Sequence, residues 1–153
     1  MKLVNLEEPS RNDGDVAGDE RHGTPTSSPA LTAKTTGGPF PHEKLDAYRV
    51  ALEMARSAKA LAELIPRGHS SVADHLRRSA SNAVLLLAEG ANRRGAAEKR
   101  QRFVESRKEA GETAAACDLV IALEIGSPAV AQCAKQYAAR LAAMLTKLIL
   151  RLS

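Results

Sequence analysis

Apolar residues recur at three- and four-residue steps along most of the chain, the period of an α-helix with one buried face. Leu45, Tyr48, Leu52, Ala55 and Ala62 form one stripe, and Val50, Met54, Leu61 and Ile65 form a second beside it. Together they predict a helix over residues 42–65 with an unusually broad apolar face, suited to a wide core or a subunit contact. Pro66-Arg67-Gly68 ends it, and Ser70 or Ser71 can cap the next helix, predicted over 71–93. Val72, Leu76, Ala80, Ala83, Leu87 and Gly90 line one face of that helix. Val84, Leu85 and Leu86 make its centre apolar nearly all round, as in a helix at the middle of a bundle or against another subunit. A third helix is predicted over 96–125, with Phe103, Ala110, Ala114, Cys117 and Ile121 on its buried side. Its first half is charged and its second half apolar, which predicts one end in solvent and the other locked in the core. Gly126-Ser127-Pro128 supplies a stop, a cap and a first-turn proline for a fourth helix over 128–151. Val130, Ala134, Tyr137, Leu141, Met144 or Leu145, Leu148 and Leu152 give that helix its apolar stripe. Four such helices with short connections predict an all-α, antiparallel up-down-up-down four-helix bundle over residues 42–153.

Residues 1–41 carry no such period. Gly, Ser, Thr and Pro are frequent there, and too little apolar material is present to offset ordering entropy, so a disordered tail is expected. With two Phe, two Tyr and no Trp in the whole chain, the core has to be aliphatic and rich in alanine. No run approaches the ~20 apolar residues of a bilayer span, and the first residues lack the apolar centre of a secretory signal. A cytoplasmic protein without a membrane partner is expected, and two cysteines fit a reducing compartment.

The formal charge of +4 is unevenly spread: residues 1–41 hold four basic and six acidic side chains, the remainder 18 and 12. The excess peaks between Arg93 and Lys108, where Arg93, Arg94, Lys99, Arg100, Arg102, Arg107 and Lys108 face only Glu98 and Glu105. Such a group suits phosphates, and Arg93, Arg100 and Arg107 recur every seven residues, as on one helical face. It equally suits a solvated face with local pairs such as Glu98–Arg102. Apart from Phe103, better placed in a core, the cluster holds no aromatic side chain for stacking bases, so binding would be led by phosphates and read little sequence. Arg77 and Arg78 form a second basic pair, while Glu89-Gly90 reads as a structural helix end.

Catalytic chemistry finds no pattern. The histidines lack the spacing of a helical metal site, and there is no Gly-x-Ser-x-Gly, phosphate-binding loop or dinucleotide fingerprint. Glu89, Glu112 and Asp118 have no spacing that indicates a cleft, and Cys117 and Cys133 are expected as buried free thiols. No enzyme activity, metal or cofactor is expected.

Leu45-Asp46-Ala47-Tyr48, the run HLRRSASNAVLLLAEG from His75 to Gly90, Glu98-Lys99-Arg100 and Phe103 carry a family resemblance. Over roughly residues 42–150 the chain resembles the bacterial four-helix-bundle family first met in intervening sequences of large-subunit ribosomal RNA genes, which includes the accessory variability protein of diversity-generating retroelements. Three positions depart from the family pattern: His75 replaces a Gln, Leu86 an Asn, and Lys108-Glu109 a Gly-Ser. The resemblance implies an up-down bundle assembled into a pentameric ring. In the retroelement member it implies a basic ring that binds nucleic acid and a reverse transcriptase. Residues and resemblance together give a non-enzymatic homo-oligomer that binds RNA or DNA through Arg77, Arg78, Arg93, Arg94, Lys99, Arg100, Arg102, Arg107 and Lys108. The alternative is a protein–protein interaction scaffold with no nucleic-acid role.

Overall fold

In a computed structural model of the chain, residues 39–153 are described; residues 1–38 of the expected disordered tail lie outside them, whereas its last residues, Phe40 and Pro41, are ordered by a 3-10 turn. Four α-helices follow one another: α1 (Asp46–Leu64), α2 (Ser70–Asn92), α3 (Ala96–Ala122) and α4 (Pro128–Leu150). Each packs on its sequence neighbours, and α4 closes the ring against α1, so α1 lies diagonal to α3 and α2 to α4. This is the antiparallel up-down-up-down bundle that the periodicity predicts, and no strand occurs among the described residues. Its consequence for function is one of address. The start of α1, the end of α2, the start of α3 and the end of α4 all meet at one end of the bundle.

The core is aliphatic and dominated by alanine, with Met54, Leu61, Leu76, Leu87, Leu141 and Leu145 as its largest fully buried side chains. On α1 the buried face is Val50, Met54, Ala58 and Leu61, whereas Leu45, Tyr48, Leu52 and Ala55 are half-buried flanks. The broad apolar face is thus partly used by the core itself. On α2, Leu85 is 66% exposed and Leu86 half-buried, so the apolar centre of that helix is not enclosed within the chain. The expected gradient along α3 is overturned. Phe103 and Ser106 are buried in its charged half, while Leu119 and Leu123 are exposed in its apolar half. The helix packs along its length because charges there occupy only the outer positions; Ala114 and Ile121, expected in the core, are half-buried at its edge.

Three polar side chains are buried where α2 meets α3, and all find partners. Ser79 and Thr113 hydroxyls lie 3.0 Å apart, Thr113 donates to the Glu109 carbonyl at 3.0 Å, and Ser106 donates to the Ala83 carbonyl at 2.7 Å. Small hydroxyl residues let two backbones approach without leaving unpaired polar atoms, which would each cost about 1–3 kcal/mol. At the same seam, a Cβ on Gly90 would lie 2.8 Å from two ring carbons of Phe103. Gly90 is needed there for close approach.

The helix ends differ in detail from the sequence expectation. A 3-10 turn, Pro41–Lys44, and an extended Leu45 precede α1, which therefore begins four residues later than position 42. The α3 helix stops at Ala122, before the expected 125, because Glu124 turns left-handed at φ 54°. The Glu124 N–H donates to the Ile121 carbonyl and the Ile125 N–H to the Val120 carbonyl, the paired bonds of a Schellman stop. Gly126 is not the stop; a Cβ there would meet Val120 Cγ1 at 2.8 Å. Glu124→Gly should therefore raise unfolding stability by about 1 kcal/mol, measured by urea titration, since glycine takes this φ without the Cβ penalty. Ser127 then caps α4, its hydroxyl accepting the Val130 N–H at 3.4 Å, with Pro128 in the first turn.

Candidate nucleic-acid interface

The expected basic residues do not form one surface. Arg77 sits in the first half of α2, donates to Asp74 at 3.1 Å and reaches the Ala62 carbonyl of α1 at 3.3 Å. Arg78 lies against His75 Nδ1 at 3.2 Å. Sixteen residues separate Arg77 from Arg93, about 24 Å of helix. Arg107 is half-buried and ties α3 to α4 through the Thr146 hydroxyl at 3.2 Å. Lys108 is exposed and pairs with Glu112 at 3.3 Å. The Lys108-Glu109 departure from the family pattern therefore changes a surface and leaves the α2–α3 seam to Ser106, Ala110 and Thr113.

Arg93 is not on α3. It caps the C-terminus of α2, with its N–H shared between the Glu89 and Gly90 carbonyls at 3.2 Å each, so the seven-residue repeat retains only Arg100 and Arg107 on one helix. Its guanidinium pairs with Glu89 and lies 4.0 Å from Glu98. Arg102 completes this network, 3.1 Å from Glu89 and 2.5 Å from Glu105. The Arg93 hydrogen bond, supported by the charges of Arg102 and Arg93, holds the Glu89 carboxyl below its ordinary range against the opposing effect of burial. The network is thus complete above the ordinary carboxylate range and is lost as pH falls through the lowered value. Glu89 joins the end of α2 to the start of α3, and Gly90 admits Phe103 beside it.

Among the described residues, six cations without an ion pair gather at the same end, while others, such as Arg67 between α1 and α2 and Arg140 midway along α4, lie away from it. Arg94, Lys99 and Arg100 come from the α2–α3 corner, and sequence reasoning missed three more: Lys44, Lys147 and Arg151. A cavity of about 350 Å³ is lined by Lys44, Lys147 and Arg151, together with Leu45 and Leu148. A second of about 350 Å³ is lined by Lys99 and Arg151, with Phe103 and Leu152. The acids nearby are already engaged: Glu43 by the Phe40 N–H at 2.6 Å, Asp46 by Arg49 at 3.5 Å, and Glu89 by Arg93 and Arg102. Six cations without an ion pair among the described residues therefore come together from the four helix ends, with Glu98 the nearby carboxylate held only loosely by Arg93. The signal for the missed three was present in the up-down topology, which returns residues 44, 147 and 151 to the Arg94 corner.

Other chemistry is poorly served. Glu89, Glu112 and Asp118 do not converge; Asp118 pairs with Lys135 at 2.6 Å, and Glu112 lies 3.7 Å from His75. Among the described residues no three His, Cys, Asp or Glu side chains group as metal ligands, and no helix is long and apolar enough to cross a membrane. Cys117 is buried and its thiol is pushed up to about 11, mainly by desolvation and then by Asp118. Cys133 is exposed, contrary to the expectation that both thiols are buried, because it lies on the outer side of α4, 4.0 Å from the Ser57 hydroxyl.

The class of protein is a four-helix bundle with a glycine-fitted α2–α3 corner. The chain belongs to the 23S rRNA-intervening sequence protein family, whose model matches residues 43–147. That span runs from the turn before α1 into the last turn of α4 and includes the α2–α3 corner. No curated protein matches the chain.

Proposed function

We propose that the protein is a non-enzymatic, homo-oligomeric bundle that binds RNA or DNA through phosphate contacts at its basic end. The observation that carries this reading is the convergence of Lys44, Arg94, Lys99, Arg100, Lys147 and Arg151, none ion-paired among the described residues. The family's description, which concerns sequences intervening in 23S ribosomal RNA, supports RNA as the first polyanion to test. Arg77, Arg78, Arg93, Arg102, Arg107 and Lys108 add to the general positive field, but each already holds a partner within the chain. Their contribution is to attraction at a distance more than to contact.

Mobility-shift titrations at low and moderate salt test the reading. Retardation at low salt that weakens steeply with added salt is the expected result, because phosphate neutralisation releases counterions. Absence of binding at low salt, or binding indifferent to salt, defeats it. Mass determination of the purified protein tests the oligomer, and service to a reverse transcriptase is the finer form of the proposal, tested by co-purification.

A second reading, a protein-interaction scaffold, draws on the exposed leucines. Leu85 on α2, Leu119 on α3 and Leu123 at the cap that follows it are 66%, 44% and 48% exposed. It predicts a specific protein partner and no retained nucleic acid.

A further inference from the structure

Among the described residues, a ladder of three rings stands at the basic end of the bundle. Phe40 is 63% exposed, and its ring lies parallel to His42 within 13°, with centroids 5.6 Å apart. His42 in turn meets the edge of Tyr48 at 4.6 Å and an interplanar angle of 66°. The exposed ring is held in place. The Phe40 N–H donates to Glu43 at 2.6 Å, its carbonyl accepts the Glu43 N–H at 3.0 Å, and Pro41 follows in the 3-10 turn. His42 is fixed from the other side by Asn92, whose side-chain nitrogen lies 2.9 Å from His42 Nδ1. Asn92 itself donates to the Ala88 carbonyl at 2.7 Å. This constrained backbone leaves the larger part of the Phe40 ring in water.

Its neighbours give it a use. Asn92 immediately precedes Arg93 and Arg94, and Pro41 lines the cavity that also holds Lys99 and Arg151. The Phe40 turn thus lies at the same end of the bundle as Arg94, Lys99 and Arg151. Aromatic side chains interleaved with cations bind single-stranded nucleic acid, since any base offers a face to stack and phosphates follow the charge. In a duplex, both faces of a base are already occupied.

We propose that the basic end is a site for unpaired nucleotides, in which Phe40 stacks on an exposed base while Arg94, Lys99 and Arg151 hold the flanking phosphates. This rests on the phosphate-binding reading above and specifies the form of nucleic acid it takes. Phe40 lies outside the span matched by the family model.

Anisotropy titrations of the full chain test it, with a fluorescein-labelled unstructured RNA oligonucleotide and the same strand annealed to its complement. The wild type should prefer the single strand, and Phe40→Ala and Phe40→Leu should each weaken that binding about tenfold while leaving duplex binding and the thermal midpoint unchanged. Phe40→Tyr should restore single-strand affinity. A 2-aminopurine in the strand should be quenched by the wild type and by Phe40→Tyr, and released by Phe40→Leu. Retention of affinity in Phe40→Leu, or equal loss on both forms of RNA, overturns stacking and leaves the phosphate interface standing. Binding to neither form by the wild type overturns both.

Discussion

Reversing Arg94, Lys99 and Arg100 to glutamate is expected to weaken RNA binding on the order of a hundredfold or more at low salt and to leave the bundle folded. Among the described residues these three side chains make no side-chain hydrogen bond or ion pair that holds the fold. None has an ion pair among the described residues, and none contributes to the buried core. Arg93 is the wrong residue for this purpose, although it sits in the same run: it pairs with Glu89, lies near Glu98 and caps α2 through its backbone. An Arg93→Glu variant would set two carboxylates against each other at the corner and confuse weakened binding with a loosened fold. Removing one cation from a phosphate should also flatten the dependence of log affinity on log salt by about 0.7–0.9. The triple variant is therefore expected to show a slope shallower by about two to three alongside an unchanged helical circular dichroism spectrum. Weaker affinity with an unchanged slope would place the phosphate-binding cations elsewhere. Arg77→Glu provides the contrast. It lies about 24 Å along α2 from the corner, and its replacement should reduce affinity far less while lowering stability through the broken α1–α2 tie.

The largest effect on stability is expected at the α2–α3 corner. Phe103 is 3% exposed and covers Gly90 at a distance that leaves no room for a methyl group. Phe103→Ala should destabilise the bundle by about 3–5 kcal/mol, since it removes the largest side chain from this seam and leaves a cavity. Gly90→Ala tests the same packing from the other side. Alanine is the better helix former by about 1 kcal/mol, so propensity alone predicts stabilisation. Overpacking against the Phe103 ring and the Arg102 Cβ costs about 1–3 kcal/mol and should reverse that sign. Gly111, mid-way along α3 with nothing within 4 Å of a Cβ, is the control. Gly111→Ala should stabilise by about 1 kcal/mol. Urea unfolding of Gly90→Ala, Gly111→Ala and the double variant Gly90→Ala/Phe103→Ala decides it; Gly90→Ala should be nearly harmless once the ring is gone. If Gly90→Ala is as stable as Gly111→Ala, the seam is softer than its close distances indicate.

These two results divide what can be read along the chain from what cannot. Helix type and order, the aliphatic core and the basic corner between Arg93 and Lys108 were determined by the sequence alone. Each depends on residues within a turn or two of one another, and a 3.6-residue period is a local property. Even the small-residue character of the core follows from composition. The helix ends were less legible, because a left-handed Glu124 or an extended Leu45 depends on how Ile125 and Tyr48 pack rather than on the turn residue itself.

Only the tertiary structure decided which charges act together. Lys44, Lys147 and Arg151 lie far from the Arg93–Lys108 run in sequence, and become its neighbours only when α1 and α4 bring their ends back to the same place. The tertiary structure also sorted the run itself: Arg93 and Arg102 go to Glu89, Arg107 to Thr146, and Lys108 to Glu112, leaving Arg94, Lys99 and Arg100 without such partners among the described residues. A local count of charge cannot make that division, because each carboxylate's partner is set by helix rotation and packing. The exposed Phe40 ring is a similar case. In sequence it is an apolar residue at the edge of a polar tail; in space it stacks on His42 beside the end of α2, because Asn92 holds the histidine there.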